Sequence, residues 1–479
     1  MGRDTATNCS LAALSGLLLS ACYAPLNYGW LAWIALAPLF YAVTRSSGVK
    51  SAFLLGGAAG LVFYIISLIW MAAVVHYLAL VFWAVFALWL ALHAGLLRGL
   101  WALAEKSGLT EAKALLWAAA AGLSWAGLEY FRSELWALEC PWLGLGYSQT
   151  YNAPVFQSLS LWGVYGLSAL IASANAAWAL LPRRRFPWLA AAVFAAVLAS
   201  SYAWGRHRLE ALTPDAGRPL KAALVQAERS DINKLVRLSL APGAAGADLL
   251  VWPECSVTFP SADSPSYISY IAKKLKPSAA EAVIGVCVNE DPARGIKRGN
   301  FTLHLGRDKQ VIGLYHKMHP VQFVEAGLPK NKEPEPVATP LGKLGPQICY
   351  DLAFEDGTRA MAEKGAEILI TPTLDPLEWT LLQHRQHSDM SAARAVESGL
   401  WLLRAASSGE SQVIDPLGFT RAALAGGAEG TLVAQARLAP GGTFYTRYGW
   451  LLGPLALLFT LAAAGLLLFE KYNLIQSKR

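Results

Sequence analysis

Three short segments of this sequence carry residue types that could together perform nucleophilic chemistry. Glu254 ends the run Leu-Val-Trp-Pro-Glu, Lys317 lies in Tyr-His-Lys-Met-His, and Cys349 lies in Gln-Ile-Cys-Tyr-Asp. Each segment stands at the end of a predicted strand or just beyond it. A carboxylate can take the proton of a thiol, an ammonium can stabilise a developing oxyanion, and a thiolate can attack a carbonyl carbon. The three residues together therefore predict covalent acyl chemistry on Cys349.

Each of these residues also has an ordinary structural interpretation. A glutamate after a strand is often a surface residue in a turn, and a lysine that follows a hairpin is usually solvated. A cysteine that ends an apolar strand is more often a small buried hydrophobe than a nucleophile. The catalytic interpretation of Glu254, Lys317 and Cys349 therefore depends on their combination in one domain.

The elements around these residues alternate between strand-like and helical patterns. Short apolar runs lie between polar and turn residues, and amphipathic stretches separate several of them, which indicates a layered α/β domain. Residues 215–445 are enough to bury a core of their own. The predicted strands are 221–227, 248–252, 283–288, 300–305, 310–314, 345–350, 367–372, 400–405 and 411–414, and the predicted helices are 265–276, 354–364 and 384–398.

The rest of the chain has the composition of a membrane protein. Of the 479 residues, 55% are hydrophobic and only 15% are charged, against roughly 25% charged residues in soluble domains. This composition excludes a disordered chain. Segments of about 20 apolar residues cross a bilayer as helices. Eight such segments are predicted, at 8–25, 27–44, 52–74, 78–97, 114–131, 157–181, 187–204 and 447–469.

The basic residues of the short loops predict an orientation. With the N-terminus inside, the outer short loops hold Arg132 alone, and this asymmetry places residues 205–446 on the outer face, which is periplasmic in a bacterium. The net charge of +7 thus comes from basic loops that set the orientation in the membrane. It does not indicate a nucleic-acid partner, and none is expected. The inner side holds twelve basic residues: Arg3, Arg45, Lys50, Arg98, Lys106, Lys113, Arg183, Arg184, Arg185, Lys471, Lys478 and Arg479.

The six cysteines do not form a recognisable set. None is spaced as Cys-x-x-Cys, so they indicate neither a zinc site nor a disulfide framework. They are Cys9, Cys22, Cys140, Cys255, Cys287 and Cys349.

The order of the three chemical segments resembles a known family. Trp-Pro-Glu254, then Lys317, then Cys349-Tyr-Asp is similar to the Glu-Lys-Cys triad of the nitrilase superfamily. In the membrane part, residues 24–33 (APLNYGWLAW) and 140–149 (CPWLGLGYSQ) resemble apolipoprotein N-acyltransferases, the membrane-bound branch of that superfamily. The resemblance covers nearly the whole chain.

The resemblance implies an architecture and a location. It implies a helical bundle of seven spans over residues 1–204, an α-β-β-α nitrilase-like sandwich over 215–445, an eighth span at 447–469 and a cytoplasmic tail at 470–479. The protein is then a multi-pass protein of the bacterial inner membrane with its catalytic domain in the periplasm. We expect a monomer.

The resemblance also implies a reaction in two stages. Cys349 attacks a fatty acyl ester of a phospholipid, typically phosphatidylethanolamine, which forms a thioester and releases a lysophospholipid. The α-amine of a diacylglyceryl-cysteine at the N-terminus of an apolipoprotein then accepts the acyl chain. Glu254 is the base and Lys317 the oxyanion partner.

Four further residues are implied in supporting or substrate-binding roles: Glu325, Tyr350, Asp351 and Trp142. No metal, nucleotide or other cofactor is implied.

The chain departs from the family pattern at three places near the predicted site. Residues 321–325 read VQFVE where VPFGE is usual, and Asp351 stands where glutamate is usual. Residues 371–379 read TPTLDPLEW where a stretch like SNDAWFG is usual. These changes favour an alternative hypothesis, in which the protein is a divergent paralogue that binds lipoproteins without acylating them.

Two further interpretations come from other classes of protein. A membrane-tethered amidase or nitrilase would need only one span as an anchor, so eight predicted spans argue against it. A transporter with a regulatory soluble domain is disfavoured because the spans carry few charges and show no inverted repeat.

Overall fold

The computed structural model describes residues 3–182, 188–213, 216–228, 230–259, 265–290 and 297–477. The inner-loop arginines 183–185, Lys478, Arg479 and the predicted domain boundary at 215 lie outside these ranges. The chain forms two compact units, Met1–Arg208 with Tyr448–Arg479, and Leu209–Arg447.

The first unit is built from helices. Over its N-terminal part these are α1 (Arg3–Ala21), α2 (Ala32–Ala35), α3 (Ala37–Arg45), α4 (Val49–Ser67), α5 (Met71–Val75), α6 (Ala79–Lys106), α7 (Glu111–Tyr130), α8 (Ala153–Phe156), α9 (Leu159–Leu180) and α10 (Trp188–Ala211).

The second unit alternates strands and helices before the chain returns to the first unit. Its strands are β1 (Arg218–Gln226), β2 (Leu249–Val251), β3 (Val257–Phe259), β4 (Glu281–Val288), β5 (Gly299–Leu305), β6 (Val311–His316), β7 (Val337–Ala338), β8 (Lys343–Pro346), β9 (Ile368–Thr373), β10 (Leu402–Ala406), β11 (Ser411–Ile414), β12 (Thr420–Leu424) and β13 (Gly430–Leu438). Its helices are α11 (Ile232–Ser239), α12 (Pro265–Leu275), α13 (Glu355–Glu363), α14 (Thr380–Ser398) and α15 (Phe444–Arg447), and the last helix of the chain is α16 (Leu452–Gln476).

Five stretches of the described chain are helical, long and apolar enough to cross a membrane. They are Val49–Ser67, Met71–Lys106, Leu159–Leu180, Trp188–Ala211 and Gly449–Asn473. The expected helical membrane bundle is therefore confirmed, while the count of eight spans stays a prediction. The predicted span at 27–44 is broken into a 3₁₀ turn, α2 and α3. A proline lies in the first turn of α3, and α2 ends before it because proline lacks the backbone N–H that would continue the helix.

Small residues allow α4 and α6 to pack closely. A Cβ added at Gly56 would lie 2.4 Å from the carbonyl oxygen of Leu90, and one added at Gly60 would lie 2.7 Å from Cα of Ala87. The spacing of four residues puts both glycines on one face of α4, a pattern that lets two helix backbones approach inside a membrane. The contact thus follows from Gly56 and Gly60 directly.

The second unit contains two sheets. The first has the strand order β13-β1-β2-β4-β5-β6, with β3 paired to β4, and the second has the order β12-β11-β10-β9-β8-β7. The pairs β1–β2, β2–β4, β8–β9 and β9–β10 are parallel. In this arrangement the carboxyl ends of β2 and β8 precede Glu254 and Cys349.

Alternating side chains of each strand enter two different cores. From β1, Ala222 and Leu224 pack against Ile370 of β9 in the core between the sheets. The intervening Ala223 and Val225 pack outward in a core shared with α11 and α12. A third core, on the far face of the second sheet, holds residues of α13 and α14. The layers are therefore helix, sheet, sheet, helix, and the predicted α-β-β-α sandwich is confirmed.

All nine predicted strands and three predicted helices of this unit are present, with ends displaced by a few residues. The strand predicted at 345–350 ends at Pro346, and a 3₁₀ turn follows at Cys349–Ala353. The sequence prediction missed β3, β7, β12, β13 and α11. Of these, β3, β7 and α11 are short, and β12 and β13 lie at the edges of their sheets.

A buried carboxyl on α13 makes the stability of the protein depend on pH. Burial raises the pKa of Glu355 from 4.5 to about 7, and the nearby carboxylate of Glu397 adds to the rise. A carboxyl with a raised pKa favours the folded state when it is protonated. Its contribution is therefore complete below pH 4.5 and is lost as the pH rises through 7.

We expect Glu355→Gln to remove this dependence. Relative to the variant, wild type should lose about 3 kcal/mol between pH 4.5 and 7.5, since each pKa unit is worth about 1.4 kcal/mol. Thermal unfolding of the full-length protein across this range measures the difference. Parallel pH curves for the two proteins would contradict the prediction.

Candidate active site

Glu254 lies in the turn between β2 and β3 with its carboxylate fully engaged. The side chain is buried. Its Oε1 accepts hydrogen bonds from Lys317 Nζ at 2.8 Å and from Asn300 Nδ2 at 2.6 Å. Its Oε2 accepts from the backbone N–H of Leu374 at 2.8 Å. The proline before Glu254 and these three donors fix the carboxylate in one orientation.

Lys317 follows β6 and places its ammonium between two carboxylates. Nζ lies 2.8 Å from Glu254 Oε1 and 2.7 Å from Glu325 Oε2, and only 1% of the side chain is exposed. Burial opposes the charged form, but Glu254, Cys349 and Glu325 outweigh it and raise the pKa of Lys317. Lys317 therefore remains an ammonium and is a fixed positive charge in the site.

Cys349 opens the 3₁₀ turn after β8 in a conformation that favours glycine. Its φ is +51°, and a non-glycine residue in this region persists only where its surroundings hold it. The thiol is buried and contacts the carbonyl oxygen of Leu374 at 3.7 Å. Burial raises the pKa of Cys349 well above its usual range, and Glu254 adds to the rise. The thiol is therefore neutral at rest and needs a base when it attacks.

Glu254 and Cys349 both contact Leu374, one through the N–H and the other through the carbonyl oxygen. Leu374 belongs to the stretch 371–379, which departs from the family pattern. Both contacts are made by backbone groups, which any non-proline residue at this position supplies. The departure in sequence is thus compatible with the geometry of the site.

Asp351 ties the Cys349 turn to the segment that follows Lys317. Its Oδ1 accepts from the backbone N–H of Met318 at 3.0 Å and of His319 at 2.7 Å, and its Oδ2 accepts from that of Ile348 at 2.9 Å. These hydrogen bonds are compatible with the supporting role of Asp351, which stays a prediction. The neighbouring Tyr350 packs its ring against that of Phe354, with 5.0 Å between the ring centroids.

Glu325 reaches Lys317 although its loop departs from the family pattern. Its Oε2 also accepts from the N–H of Val321 at 2.8 Å, and its Oε1 accepts from Asn300 Nδ2 at 2.9 Å. Lys317 and these hydrogen bonds overcome burial and lower the pKa of Glu325. The positive φ in this loop falls on Phe323, at +66°.

Trp142 lies in the first unit, in a loop held by buried charged residues. Arg132, which was predicted to be an outer-loop cation, is buried and donates to the Trp142 carbonyl oxygen at 2.8 Å and to Tyr64 Oη at 2.9 Å. Glu129 accepts from the N–H of Leu145 at 3.0 Å. These contacts fix the loop backbone, and the role of Trp142 in substrate binding stays a prediction.

Sequence reasoning missed several residues that the fold brings to this site. Asn300, on β5, donates to both Glu254 and Glu325 through one nitrogen. Asp375 contacts Arg404 Nη2 at 2.5 Å and His387 Nδ1 at 2.9 Å, and all three side chains are buried. In the sequence, Asn300 begins a predicted strand and Asp375 follows another. Neither position indicates that the residue lies near Glu254 or Cys349 in the fold.

One group of possible metal ligands exists among the described residues. The donor atoms of Cys349, Asp375 and His387 lie within 4.8 Å of one another. Arg404, however, already places a guanidinium 2.5 Å from Asp375 and 3.2 Å from His387. Arg404 thus supplies the positive charge at the place where a metal ion would bind. We infer that the cluster balances the negative charge of Asp375 beside the thiol.

The Arg404–Asp375 pair should be essential for stability. Although burial opposes the charged form, Arg404 and His387 keep the pKa of Asp375 below its usual range. Arg404→Met leaves the buried carboxylate of Asp375 without its guanidinium partner, with only His387 beside it, so we expect it to destabilise the protein by about 3–5 kcal/mol. The double variant Asp375→Asn with Arg404→Met should recover part of this loss. Thermal unfolding of the three proteins tests the pair, and additive losses would contradict it.

The second unit belongs to a known class of domain. The family model described as Carbon-nitrogen hydrolase matches residues 221–443. A solved carbon–nitrogen hydrolase from Helicobacter pylori is similar at 20% identity over 50% of this chain and 93% of that chain, with a TM-score of 0.38. An amidase from Nesterenkonia sp. is similar at 24% identity over 48% of this chain and 94% of its own, with a TM-score of 0.39. The family match, the two sheets and the outer helices define a nitrilase-type domain.

The first unit and the full-length relatives narrow this class to one family. The family model described as Apolipoprotein N-acyltransferase N-terminal domain matches residues 15–177. An apolipoprotein N-acyltransferase from Geobacter metallireducens is 32% identical and aligns with 92% of this chain and 91% of its own length. The apolipoprotein N-acyltransferase from Gloeobacter violaceus is 30% identical and aligns with 92% of this chain and 90% of its own length.

This chain therefore belongs to the apolipoprotein N-acyltransferase family. It is a membrane protein that transfers an acyl group from a lipid donor to a lipoprotein acceptor. The predicted family and enzyme class are confirmed.

Proposed function

We propose that this enzyme transfers a fatty acyl chain from phosphatidylethanolamine to the α-amine of a diacylglyceryl-cysteine, through a thioester on Cys349. The observation that carries the proposal is the buried pair of Glu254 and Lys317, with Cys349 contacting the same residue, Leu374, as Glu254. A neutral thiol, a fixed carboxylate and a fixed ammonium are the groups that cysteine acyl transfer needs.

In the proposed first stage, Glu254 takes the thiol proton as Cys349 Sγ attacks the ester carbonyl carbon. Negative charge develops on the carbonyl oxygen, and the Lys317 ammonium stabilises it. The ester C–O bond then breaks, and the proton passes from Glu254 to the departing oxygen of the lysophospholipid. Glu325 and Asn300 keep Lys317 and Glu254 in place during this stage.

In the proposed second stage, the acceptor amine attacks the thioester after the lysophospholipid has left. Glu254 takes the proton of the amine and returns it to the sulfur of Cys349 as the C–S bond breaks. Two lipid substrates then use one site in turn, so the kinetics should be ping-pong.

The experiment supplies full-length protein in detergent micelles with phosphatidylethanolamine and no acceptor. Intact-mass spectrometry should show one acyl adduct per protein, and lysophospholipid should appear in equal amount. A synthetic diacylglyceryl-cysteine peptide should then discharge the adduct, while the same peptide with an acetylated α-amine should not. Equal discharge by both peptides, or release of free fatty acid alone, would contradict the proposed transfer. Phosphatidylglycerol as the donor tests the headgroup preference.

We also propose that the second unit lies on the periplasmic face of the inner membrane and that the protein acts as a monomer. The excess of basic residues in the predicted inner loops supports this orientation. The disulfide between Cys255 and Cys287 also supports it, since disulfides persist in oxidising compartments. Protease added to spheroplasts should cut the second unit and spare the C-terminal tail.

A further inference from the structure

A disulfide lies directly beside the proposed base. Cys255 follows Glu254 in sequence and is bonded to Cys287 of β4, with 4.7 Å between the Cα atoms, inside the range usual for disulfides. The spacing of the cysteines did not indicate this bond. The pairing arises because β3 runs parallel to β4 and brings the turn before β3 alongside that strand.

The turn that carries Glu254 lies directly on the backbone of β4. A Cβ added at Gly285 would lie 2.1 Å from the carbonyl oxygen of Pro253 and 2.5 Å from Cα of Glu254. Ser256 Oγ donates to the carbonyl oxygen of Gly285 at 3.0 Å. Gly285 has no side chain, so the turn at Pro253 and Glu254 can approach β4 closely. The Ser256 hydrogen bond and the disulfide of Cys255 then hold this turn against the strand.

Cys255 has a backbone conformation that needs such support. Its φ is +49°, in the left-handed region that residues with a side chain rarely adopt, so it persists only where neighbouring structure holds it. The disulfide is a covalent constraint on this residue. The residue before it must keep its carboxylate against both Lys317 and the N–H of Leu374.

We propose that Cys255 and Cys287 are positioning residues for Glu254, and that acyl transfer by this enzyme is fast only while their disulfide is intact. The inference rests on the proposed role of Glu254 as the base. Reduction frees Cys255 to leave the left-handed region, and the Glu254 carboxylate is then held less firmly, by its hydrogen bonds without the covalent constraint on the next residue. The enzyme is thereby adapted to an oxidising compartment and loses rate in a reducing one.

A reductant can reach this disulfide in the folded protein. Both cysteines are partly exposed. Cys255 also lines an open cavity of about 560 Å³, whose wall includes Glu254 and Leu374. The state of the disulfide can therefore be changed without unfolding the domain.

The test measures the rate and the amplitude of thioester formation on Cys349 with phosphatidylethanolamine in detergent micelles and no acceptor. The full-length protein is compared before and after tris(2-carboxyethyl)phosphine, because a thiol reductant would itself attack the thioester. The phosphine takes the oxygen of one water and becomes its oxide, while the two sulfurs take the hydrogens. Maleimide labelling and peptide mass spectrometry confirm the free thiols at Cys255 and Cys287.

We expect reduction to slow thioester formation by about 10- to 100-fold with an unchanged amplitude and an unchanged KM for the phospholipid. A merely structural role would instead lower the amplitude, because part of the protein would unfold. Reoxidation with oxidised glutathione should restore the rate. Cys255→Ala with Cys287→Ala should be slow with and without phosphine, whereas the control Cys9→Ala, at an exposed free cysteine, should behave as wild type.

An unchanged rate in protein whose two thiols are shown to be free would overturn the inference. Glu254→Gln separates this outcome from failure of the proposed function. If Glu254→Gln forms the thioester at the wild-type rate, the assignment of the base is wrong whatever the phosphine does. If Glu254→Gln is inactive and reduction has no effect, only the role of the disulfide is wrong.

Discussion

Replacing Cys349 with serine is expected to lower acyl transfer by about 10⁶-fold, the scale seen when a covalent nucleophile is removed from an enzyme. The hydroxyl of serine is a far weaker acid than a thiol, so the proposed base Glu254 is much less able to deprotonate it. The structure should survive, since serine is close to cysteine in size. The acyl adduct on residue 349 should be absent from intact-mass spectra even after long exposure to phosphatidylethanolamine.

The matched control is Cys9→Ser, which changes an exposed free cysteine of the first unit and should retain full activity. Thermal unfolding of both variants should match wild type to within a few degrees. Retained acyl transfer in Cys349→Ser, with an adduct on another cysteine, would move the reaction away from the site described here.

Replacing Lys317 with methionine is expected to damage both chemistry and stability. Loss of one group that stabilises an oxyanion costs about 10²–10³-fold in rate. The change also leaves the buried carboxylate of Glu254 and the partly exposed carboxylate of Glu325 without their shared cation, and breaking the buried Lys317–Glu254 pair costs about 3–5 kcal/mol. One of the two carboxyls should then take up a proton. Thioester formation and thermal unfolding of the full-length protein measure the two effects.

Lys309→Met is a suitable control because Lys309 is also a buried lysine of the same domain. Its Nζ donates to the carbonyl oxygen of Ala280 and contacts neither Glu254 nor Glu325. The control should lose stability and keep its rate of thioester formation. A double variant, Lys317→Met with Glu325→Gln, should regain stability and remain slow. If it regained the full rate, the ammonium would be a structural counter-charge only.

Local patterns in the sequence determined nine strands and three helices of the second unit and the long apolar helices of the first. The strands of the second unit alternate residues between two cores, as β1 does with Ala222 and Ala223, so their positions are evident from apolar runs and turn residues. Hydropathy over long segments identified the apolar helices in the same way. The predicted span at 27–44 failed as one helix because Pro38 interrupts a segment whose mean hydropathy is still high.

The resemblance in sequence also selected Glu254, Lys317, Cys349 and Glu325, and the fold brings Glu254, Lys317 and Glu325 into direct contact. The number of spans, the orientation in the membrane and the role of Trp142 remain predictions. Sequence alone did not show how Glu325 reaches Lys317 through an altered loop, because the approach depends on the positive φ at Phe323 and on Asn300.

Only the tertiary structure decided which distant residues support the nucleophile. Asn300 of β5 reaches Glu254, and Asp375 after β9 reaches Arg404 of β10, because of the pairing of strands within each sheet. The Cys255–Cys287 disulfide likewise depends on the parallel register of β3 with β4. Such contacts join residues tens of positions apart, so no local periodicity or spacing encodes them. Their geometry follows from burial of the shared core, which sets the distances between groups that the sequence presents separately.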